Sequence, residues 1–353
     1  MKMSRRDLAL GFAAAGLLAG LPRGALAWTA ADPLARVDPE LRDGARMILE
    51  RPQPEWNRET LSAIRAIPPV ETPPAPSASS VERRMAPGRP GQPDAGFELI
   101  GQEAGKAPRP ALIHIHGGGY ILGRVTDTTA MCQSIAAEFD CVVANVDYRL
   151  SPETTFPGPV EDCYAVLAYV HANAEALGVD RSRIAVMGES AGGGLAAMLA
   201  ISARDRGEIP LCYQVLIYPM LDDRTGTTVR VPDFIGTIGW NEPGNRFGWT
   251  SFLGMPAGTS QAPHGSVPAR LTDVSGLAPA FIGVGGLDLF VDEDLEYARR
   301  LVAAGVATQF HLTPGAYHGF DFIAPQARVS KAFTAAWKAG LGAAFAAARP
   351  ATP

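Results

Sequence analysis

The feature that most constrains the fold is a regular alternation of short apolar runs with longer helical patterns, from about residue 110 onward. The apolar runs are rich in Val and Ile and almost continuously apolar, which is typical of strands buried on both faces of a sheet. They predict strands at Ala111–His116, Cys141–Asp147, Arg183–Gly188, Cys212–Tyr218, Ala280–Gly285 and Thr308–Leu312. Helices are predicted at Thr129–Phe139, Glu161–Leu177, Ala191–Arg206, Asp292–Ala304 and Ser330–Ala347. We therefore expect an α/β fold with a mostly parallel sheet and helices on both faces.

The composition excludes several classes of protein. With 47% hydrophobic residues over 353 positions, the chain can bury a large core and is too apolar to be disordered. A formal net charge of −5 argues against a general nucleic-acid-binding protein, which would carry a basic excess. The only long apolar stretch without charge, Leu8–Leu21, has 14 residues and is too short to cross a bilayer comfortably. We expect no stable insertion into a membrane.

The first 27 residues have the features of an export signal. Lys2, Arg5 and Arg6 form a basic start, and an apolar centre is followed by Ala25-Leu26-Ala27, a small-x-small cleavage site. The adjacent arginines resemble those of a bacterial twin-arginine signal. We predict a signal peptide over residues 1–27 and a periplasmic or secreted protein. The alternative is a cytosolic protein whose first helix is rich in alanine.

Residues 28–80 form a separate N-terminal segment. Two short helical patterns lie between Asp38 and Ile67, and Pro68–Ser80 has the Pro- and Ser-rich composition of a linker. Residues 81–353, which contain the alternating pattern, are predicted to form one α/β domain.

One long insert interrupts the alternating pattern. About sixty residues separate the predicted strands that end at Tyr218 and begin at Ala280, far more than an ordinary crossover needs. We predict a helical cap at about residues 220–275, with Trp240, Trp249 and Phe252 as candidates to line a substrate pocket.

The four cysteines are predicted to be buried free thiols. They are Cys132, Cys141, Cys163 and Cys212. An oxidising compartment would permit disulfides as the alternative, but two of the four lie inside apolar runs and the other two bracket a predicted helix.

The strongest local motif is Gly188-Glu189-Ser190-Ala191-Gly192. It lies between a predicted strand and a predicted helix, which is the setting of a nucleophilic serine on a sharp turn. Gly188 and Gly192 leave room for the crowded backbone of such a turn. The alternative is an ordinary glycine-rich helix start. We predict Ser190 to be the nucleophile.

A second motif, His116-Gly117-Gly118-Gly119, directly follows a predicted strand. Three successive glycines leave backbone N–H groups uncovered, as is needed to bind the oxyanion of a tetrahedral intermediate. A flexible loop is one alternative. Zinc binding by His114 and His116 is another, but no third ligand has convincing spacing. We predict an oxyanion-binding loop.

A nucleophilic serine needs a histidine base and an orienting acid, which follow it in the order acid, then histidine in this topology. Only His264, His311 and His318 follow Ser190. His318 lies in the loop after the last predicted strand, where a base can reach the site, so we choose it. For the acid we choose Asp288, just past a predicted strand. Asp292, in the next helix, is kept as the alternative.

Five motifs in this order resemble those of the bacterial hormone-sensitive-lipase-type esterases. They are His116–Gly119, Asp147–Glu153, Gly188–Gly193, Gly286–Phe290 and Tyr317–Phe320. The resemblance implies an α/β-hydrolase fold whose N-terminal helices join the insert to form the cap. Two positions depart from residues that many members carry: Glu189 stands in place of Asp, and Leu289-Phe290 in place of Pro-Leu.

The resemblance also implies the roles of the site residues. Ser190 attacks an ester carbonyl, His318 takes its proton and Asp288 orients the imidazole. The oxyanion is bound by the backbone N–H groups of Gly118, Gly119 and Ala191. The residues expected to support the two motifs are His116, Gly117, Gly188, Glu189 and Gly192.

Three further residues are given roles near the oxyanion loop. Tyr120 is expected to shape the alcohol side of the pocket. Arg149 and Glu153 are expected to form a structural pair that braces the loop.

The predicted function is therefore a serine carboxylesterase that hydrolyses short- to medium-chain acyl esters of small molecules, with no metal or organic cofactor. The alternatives are a lipase for longer acylglycerols, an amide- or peptide-cleaving enzyme, and a non-catalytic small-molecule receptor on the same fold. A homodimer is considered as well. The spacing of residues along the chain does not encode the oligomeric state.

Overall fold

The protein is described by a computed structural model covering residues 32–67, 79–102 and 108–347. Its centre is one eight-stranded sheet. The strands are β1 Val81–Ala86, β2 Ala95–Ile100, β3 Arg109–Ile115, β4 Val142–Asp147, β5 Val179–Glu189, β6 Tyr213–Ile217, β7 Ala280–Gly285 and β8 Thr308–Thr313. The helices are α1 Arg42–Leu49, α2 Arg58–Arg65, α3 Thr129–Glu138, α4 Gly158–Ala172, α5 Ala174–Leu177, α6 Ala191–Arg206, α7 Glu242–Leu253, α8 Val291–Ala303, α9 Phe320–Ile323 and α10 Arg328–Ala346.

The strand order is β1-β2-β4-β3-β5-β6-β7-β8. Only β2 runs against its neighbours, pairing antiparallel with β1 and with β4, while the other pairings are parallel. The predicted α/β fold with a mostly parallel sheet is thus confirmed. The predicted bounds of β7 and α6 agree with the structure, and the one predicted helix at Glu161–Leu177 is divided into α4 and α5.

The sequence patterns did not predict β1 and β2. β1 has the sequence Val-Glu-Arg-Arg-Met-Ala at one end of the sheet, and most of its side chains are exposed. An edge strand with polar residues on both faces has no continuous apolar run, so apolarity alone misses it.

Two hydrophobic cores lie on opposite faces of the sheet because neighbouring residues of a strand point to opposite sides. Ile113 and Val186 pack in one core, with α4, α6 and α8. Leu112 and Met187 pack in the other, with α3 and α10. The sheet is therefore covered on both faces, as predicted.

This architecture brings four loops to one edge of the sheet. The glycine loop follows β3, Ser190 follows β5, Asp288 lies just beyond β7 and His318 lies beyond β8. These strands are parallel, so their carboxyl ends share an edge. Residues far apart in sequence are thereby placed close enough to interact.

The remaining sequence predictions have different outcomes. The predicted N-terminal helices are present as α1 and α2, and the insert contains α7.

All four cysteine side chains are buried, and burial raises the pKa of the Cys141 thiol to about 12. The signal peptide at residues 1–27 lies outside the described residues. Within the described ranges, no helix is both long and apolar enough to traverse a bilayer.

Candidate active site

Ser190 lies on a sharp turn between β5 and α6. Its φ is 58° and its ψ is −120°, a strained backbone conformation for a residue other than glycine. A side chain on Gly188 would overlap the carbonyl of Gly192, and one on Gly192 would overlap that of Ile115. The turn therefore requires both glycines of the motif, as predicted.

The backbone of Ser190 is fixed from two sides. Its N–H donates to the Ile217 carbonyl at 2.8 Å, and its carbonyl accepts from the Met220 N–H at 2.9 Å. These bonds tie the serine to the end of β6 and leave the hydroxyl directed to the carboxyl edge of the sheet, with the residue 7% exposed.

The structure brings Ser190, His318 and Asp288 together in one hydrogen-bonded chain. His318 Nε2 lies 2.9 Å from Ser190 Oγ, and His318 Nδ1 lies 2.8 Å from Asp288 Oδ2. Because the carboxylate accepts the Nδ1 proton, Nε2 is left with a lone pair for the serine hydroxyl. The geometry is that of a nucleophile, a base and an orienting acid.

The alternatives for the base and the acid lie elsewhere. Asp292 is exposed in the first turn of α8, where a carboxylate favourably faces the helix dipole. His264 is exposed in the insert. His311 lies on β8 against the rings of Phe281 and Phe333, and burial lowers its pKa.

Aromatic side chains enclose the imidazole of His318. The rings of Tyr218 and Phe290 meet it edge-on, with centroid distances of 4.7 Å and 5.3 Å. The Phe290 N–H donates to Asp288 Oδ1 at 3.0 Å, so the second carboxylate oxygen is also satisfied. The Asp288 side chain is fully buried, and that of His318 is 12% exposed.

Sequence reasoning did not assign a role to Tyr218 or Asp321. The Tyr218 hydroxyl donates to Asp321 Oδ1 at 3.1 Å, which links the end of β6 to the helical turn after His318. Burial raises the pKa of Asp321 to about 6. The position of Tyr218 directly after a parallel strand, at the edge that carries the site, was a signal for its involvement.

The glycine loop lies directly against Ser190. A side chain on Gly117 would contact the Ser190 Cβ, at 3.3 Å. Gly118 has a φ of 121°, a value that only glycine adopts without substantial strain, and Gly119 has a φ of 61°, in the left-handed region that favours glycine. In the described part of the chain, hydrogen bonds of this loop use the Gly118 carbonyl but neither the Gly118 nor the Gly119 N–H. Ala191, as the first residue of α6, has an N–H without an intrahelical partner.

His116 holds the start of the glycine loop. Its ring is buried and stacked on Tyr148 with 4.3 Å between centroids, and its Nδ1 lies 2.8 Å from the Gly117 carbonyl oxygen. The Tyr148 hydroxyl in turn donates to the His116 carbonyl at 3.0 Å. Burial lowers the pKa of His116. The side chain thus braces the loop as a neutral ring.

Glu189 and His114 form a buried pair beside the nucleophile turn. His114 Nε2 lies 3.1 Å from Glu189 Oε2, and His114 Nδ1 lies 2.8 Å from Asn145 Oδ1. Burial alone lowers the pKa of His114, but the neighbouring Cys132 and Glu189 outweigh it and raise the pKa well above its usual value. The pair fastens the end of β5 to β3 and β4.

The predicted substrate-pocket residues divide into two groups. Trp240 is partly exposed, and its indole lies where a side chain on Gly119 would be. Tyr120, Trp249 and Phe252 are instead completely buried. Tyr120 stacks on Phe252 with 4.3 Å between centroids and donates its hydroxyl to the Met220 carbonyl at 2.9 Å. Predicting a pocket wall from these three was wrong, because aromatic composition does not distinguish a wall from a packed core.

The predicted Arg149–Glu153 pair was also wrong. Arg149 makes a forked pair with Asp162, with Nη2–Oδ1 at 2.7 Å and Nε–Oδ2 at 2.9 Å. Glu153 instead pairs with Arg65 of α2, with 2.7 Å between Arg65 Nη1 and Glu153 Oε1. The two residues are four positions apart, but the loop turns their side chains to different neighbours.

A family profile described as the alpha/beta hydrolase fold matches residues 112–322, which include the glycine loop, Ser190, Asp288 and His318. The chain belongs to the α/β-hydrolase family. Its resemblance to the hormone-sensitive-lipase-type esterases is confirmed by relatives that carry esterase names and by similar solved structures.

Two curated relatives and one solved structure illustrate the similarity of this α/β hydrolase to known proteins. Carboxylesterase NlhH of Mycobacterium tuberculosis (strain CDC 1551 / Oshkosh) is 37% identical over 217 residues, 60% of this chain and 66% of NlhH. Ethyl acetate hydrolase of Pseudomonas putida is 33% identical over 224 residues, 60% of this chain and 65% of the relative. The match thus spans slightly less than two thirds of these relatives. A bacterial heroin esterase superposes with a TM-score of 0.77 at 35% identity, covering 90% of this chain and all of the esterase.

Proposed function

We propose that this α/β hydrolase is a serine carboxylesterase that hydrolyses short- to medium-chain acyl esters through an acyl-enzyme. The observation that carries the proposal is the position of the His318 imidazole, within 2.9 Å of Ser190 Oγ and 2.8 Å of Asp288 Oδ2. A loop with available N–H groups lies against the same serine.

In the acylation step, His318 Nε2 takes the proton of Ser190 as Oγ attacks the ester carbonyl carbon. The carbonyl oxygen becomes an oxyanion and accepts hydrogen bonds from the N–H groups of Gly118, Gly119 and Ala191. Asp288 stabilises the imidazolium. When the tetrahedral intermediate collapses, the imidazolium gives its proton to the departing alcohol and Ser190 carries the acyl group.

Deacylation repeats the same chemistry with water. His318 removes a proton from water, the resulting hydroxide attacks the acyl carbonyl, and the N–H groups again hold the oxyanion. The imidazolium then returns a proton to Ser190 Oγ as the carboxylic acid leaves. All the atoms needed are supplied by the substrate, water and the three side chains.

The preference for small esters rests on two features. The indole of Trp240 covers Gly119, and Trp56 of the N-terminal segment meets it edge-on with centroids 5.3 Å apart, so aromatic rings restrict the space beside the oxyanion loop. One relative of this chain also bears a name that refers to a small ester, ethyl acetate.

The proposal is tested with purified protein and esters from acetate to long-chain triglycerides. We expect the highest kcat/KM on short and medium acyl chains, and a loss of about 10⁶-fold in the variant Ser190→Ala. Ser275→Ala, at an exposed loop position, is the matched control and should keep full activity. Equal hydrolysis by wild type and Ser190→Ala would refute the mechanism. Activity that rises only above the solubility limit of a long-chain substrate would favour a lipase.

We also propose that residues 1–27 direct export of the protein, on the basis of the Arg5-Arg6 pair and the Ala25-Leu26-Ala27 site. The test is the double variant Arg5→Lys, Arg6→Lys expressed in a bacterium. We expect the protein to accumulate in the cytosol with its signal uncleaved. Unchanged export of this variant would contradict a twin-arginine route.

We further propose a homodimer that forms beside β8, which lies at one end of the described sheet. Leu312 on β8 is 47% exposed, and Val302 on the neighbouring α8 is 60% exposed. An edge strand flanked by apolar side chains is suited to pairing with a second copy. Light scattering after size exclusion should give a dimer for wild type and a monomer for Leu312→Lys. A monomer at all wild-type concentrations would rule the dimer out.

A further inference from the structure

The side chain of Arg65, the last residue of α2, donates hydrogen bonds to three different residues. Its Nε donates to the Ile121 carbonyl at 2.8 Å, and its Nη2 donates to the Ser151 carbonyl at 2.8 Å. The same guanidinium forms a forked pair with Glu153, at 2.7 Å and 2.9 Å. Hydrogen bonding to Arg65 lowers the pKa of Glu153. The guanidinium is largely enclosed, with the side chain 27% exposed.

The Ile121 carbonyl belongs to the turn that carries the oxyanion donors. The N–H groups of Ile121 and Leu122 both donate to the Gly118 carbonyl, at 3.0 Å and 2.8 Å, so residues 118–122 form one closed turn. The Ser151 N–H donates to the Tyr120 carbonyl of this turn at 2.9 Å. Arg65 therefore holds the turn directly at Ile121 and indirectly through Ser151.

The N-terminal segment contacts the other end of the turn as well. The Trp240 indole covers Gly119 and is met edge-on by Trp56. The Asn241 side chain next to Trp240 donates to Gln53 Oε1 at 3.1 Å. Residues 53–65, which we call the strap, thus contact the turn at Ile121 through Arg65 and support the ring over Gly119 through Trp56.

The two glycines that carry the oxyanion donors depend on neighbouring residues for the orientation of their peptide planes. Gly118 and Gly119 have no side chains with which to anchor their peptide planes, and both have positive φ values. An oxyanion donor is effective only when its N–H points to the position that the oxyanion will occupy. A displacement of about 1 Å in a catalytic group can reduce the rate ~10²-fold.

We propose that Arg65 is a positioning residue for the oxyanion hole, and that through it the strap sets the orientation of the Gly118 and Gly119 N–H groups. The inference rests on the proposed esterase function. Arg65 acts through the backbone of the turn, so its loss weakens stabilisation of the oxyanion more than ground-state binding of the ester. The expected signature is a fall in kcat with little change in KM.

The test measures kcat per active site in Arg65→Ala, Arg65→Lys and Arg58→Ala, with active sites counted by complete titration with diethyl p-nitrophenyl phosphate. We expect Arg65→Ala to lower kcat about 10- to 100-fold. Arg65→Lys keeps the charge but not the fork, and should fall between Arg65→Ala and wild type. Arg58 lies two turns earlier on α2, is exposed, and influences Glu153 only through its charge, so Arg58→Ala is the matched control and should equal wild type.

A second readout separates positioning from stability. A trifluoromethyl ketone adds to Ser190 and forms an oxyanion, so its affinity should fall in parallel with kcat in the Arg65 variants. Loss of folded protein alone would reduce the number of titrated sites and leave both quantities per site unchanged. Unchanged kcat and inhibitor affinity per site in Arg65→Ala would overturn the inference. Where Arg65→Ala does not fold, wild-type values in Arg65→Lys would overturn it.

Failure of the inference can be distinguished from failure of the proposed function. If wild type and Ser190→Ala hydrolyse the ester equally, the esterase proposal fails. If Ser190→Ala is inactive while Arg65→Ala keeps the wild-type kcat, only the role of Arg65 is refuted.

Discussion

Two histidines of this protein each lie between a carboxylate and a second polar group, but the two hydrogen-bond networks give the rings different protonation behaviour. His318 stands between the Asp288 carboxylate and the Ser190 hydroxyl. His114 stands between the Glu189 carboxylate and the Asn145 amide oxygen. A hydroxyl can donate to a ring nitrogen, whereas an amide oxygen only accepts. His318 can therefore hold one proton and accept another, while His114 is required to donate from both nitrogens.

The partners of Asn145 fix this difference. Its Nδ2 donates to the Val125 carbonyl at 2.9 Å and to Glu98 Oε2 at 3.3 Å, so its Oδ1 must face His114. Despite burial, the neighbouring Cys132 and Glu189 raise the pKa of His114, which agrees with an imidazolium beside the Glu189 carboxylate. The comparison teaches that the partner of the second ring nitrogen decides whether a histidine can exchange protons or serves as a fixed cation.

The largest loss of activity is expected when His318 is replaced. His318→Ala removes the general base, and because triad members act as a unit, kcat should fall ~10⁶-fold with the fold retained. The measurement is single-turnover and steady-state hydrolysis of p-nitrophenyl butyrate, with circular dichroism to check folding. His311→Ala, on β8, is the control and should lose less than about threefold. A comparable loss in His318→Ala and His311→Ala would show that His318 is not the general base.

The next largest effect is expected at the acid. Asp288→Asn keeps the shape but favours the wrong tautomer of His318, and kcat should fall ~10⁴-fold. Asp292→Asn changes an exposed carboxylate in the first turn of α8 and should leave kcat almost unchanged. The comparison is made with kcat/KM from pH 5 to 9. A larger loss in Asp292→Asn would transfer the acid role to that residue.

His114 should contribute to the stability of the folded protein and not to the rate of ester hydrolysis. His114→Gln leaves the Glu189 carboxylate without its cation, and removing one member of a buried pair costs about 3–5 kcal/mol. The free energy of unfolding in urea should decrease accordingly, while kcat per titrated site changes less than about threefold. The double variant His114→Leu, Glu189→Leu should recover part of the loss. A large fall in kcat per site at unchanged stability would give this pair a catalytic role.

The same pair predicts a dependence of stability on pH. The folded pKa of His114 is raised, so its stabilising contribution is complete below the unfolded pKa of about 6.5 and is lost as the pH rises through the folded pKa. The stability difference between wild type and His114→Gln should therefore narrow toward high pH. A difference that widens with rising pH would show that His114 is neutral.

The smallest of the expected effects is the contribution of Asp321 to the pH dependence of stability. Its pKa is raised from the usual 3.8 to about 6, so the folded protein binds a proton more tightly and stability should fall as the pH rises from about 4 to 6. The size should be roughly 1–3 kcal/mol. Asp321→Asn should flatten this part of the curve in urea unfolding at pH 4, 5, 6 and 7. An identical slope in wild type and variant would mean that folding does not shift the pKa of Asp321.

Sequence reasoning was most successful where one local signal had one structural solution. Ser190 lies between an apolar run and a helical pattern, and its glycine neighbours are needed for steric reasons that the structure bears out. His318 and Asp288 followed from chain order and from the position of loops after parallel strands. Parallel strands share one edge, so these loops converge wherever the helices between them are long enough.

It was least successful where the outcome depended on a distant segment. Arg149 was paired with a neighbour four residues away, but Asp162 reaches it across the start of α4. Glu153 bonds to Arg65, a residue 88 positions earlier in the chain. Tyr120 was placed in a pocket wall, yet its ring is buried against Phe252 of the insert. No spacing rule identifies such partners, because loop closure over these distances depends on how the rest of the protein packs.

The sequence by itself determined the parallel α/β sheet, the nucleophile turn and the histidine and acid that meet it, since each depends on local periodicity or on strand order. The tertiary structure alone decided which aromatic side chains are core and which border the site, which partners His114 has, and that Arg65 reaches the oxyanion turn. The physical reason is that periodicity and turn chemistry act over a few residues, whereas burial, protonation and hydrogen-bond partners are set by segments that meet only when the chain has folded.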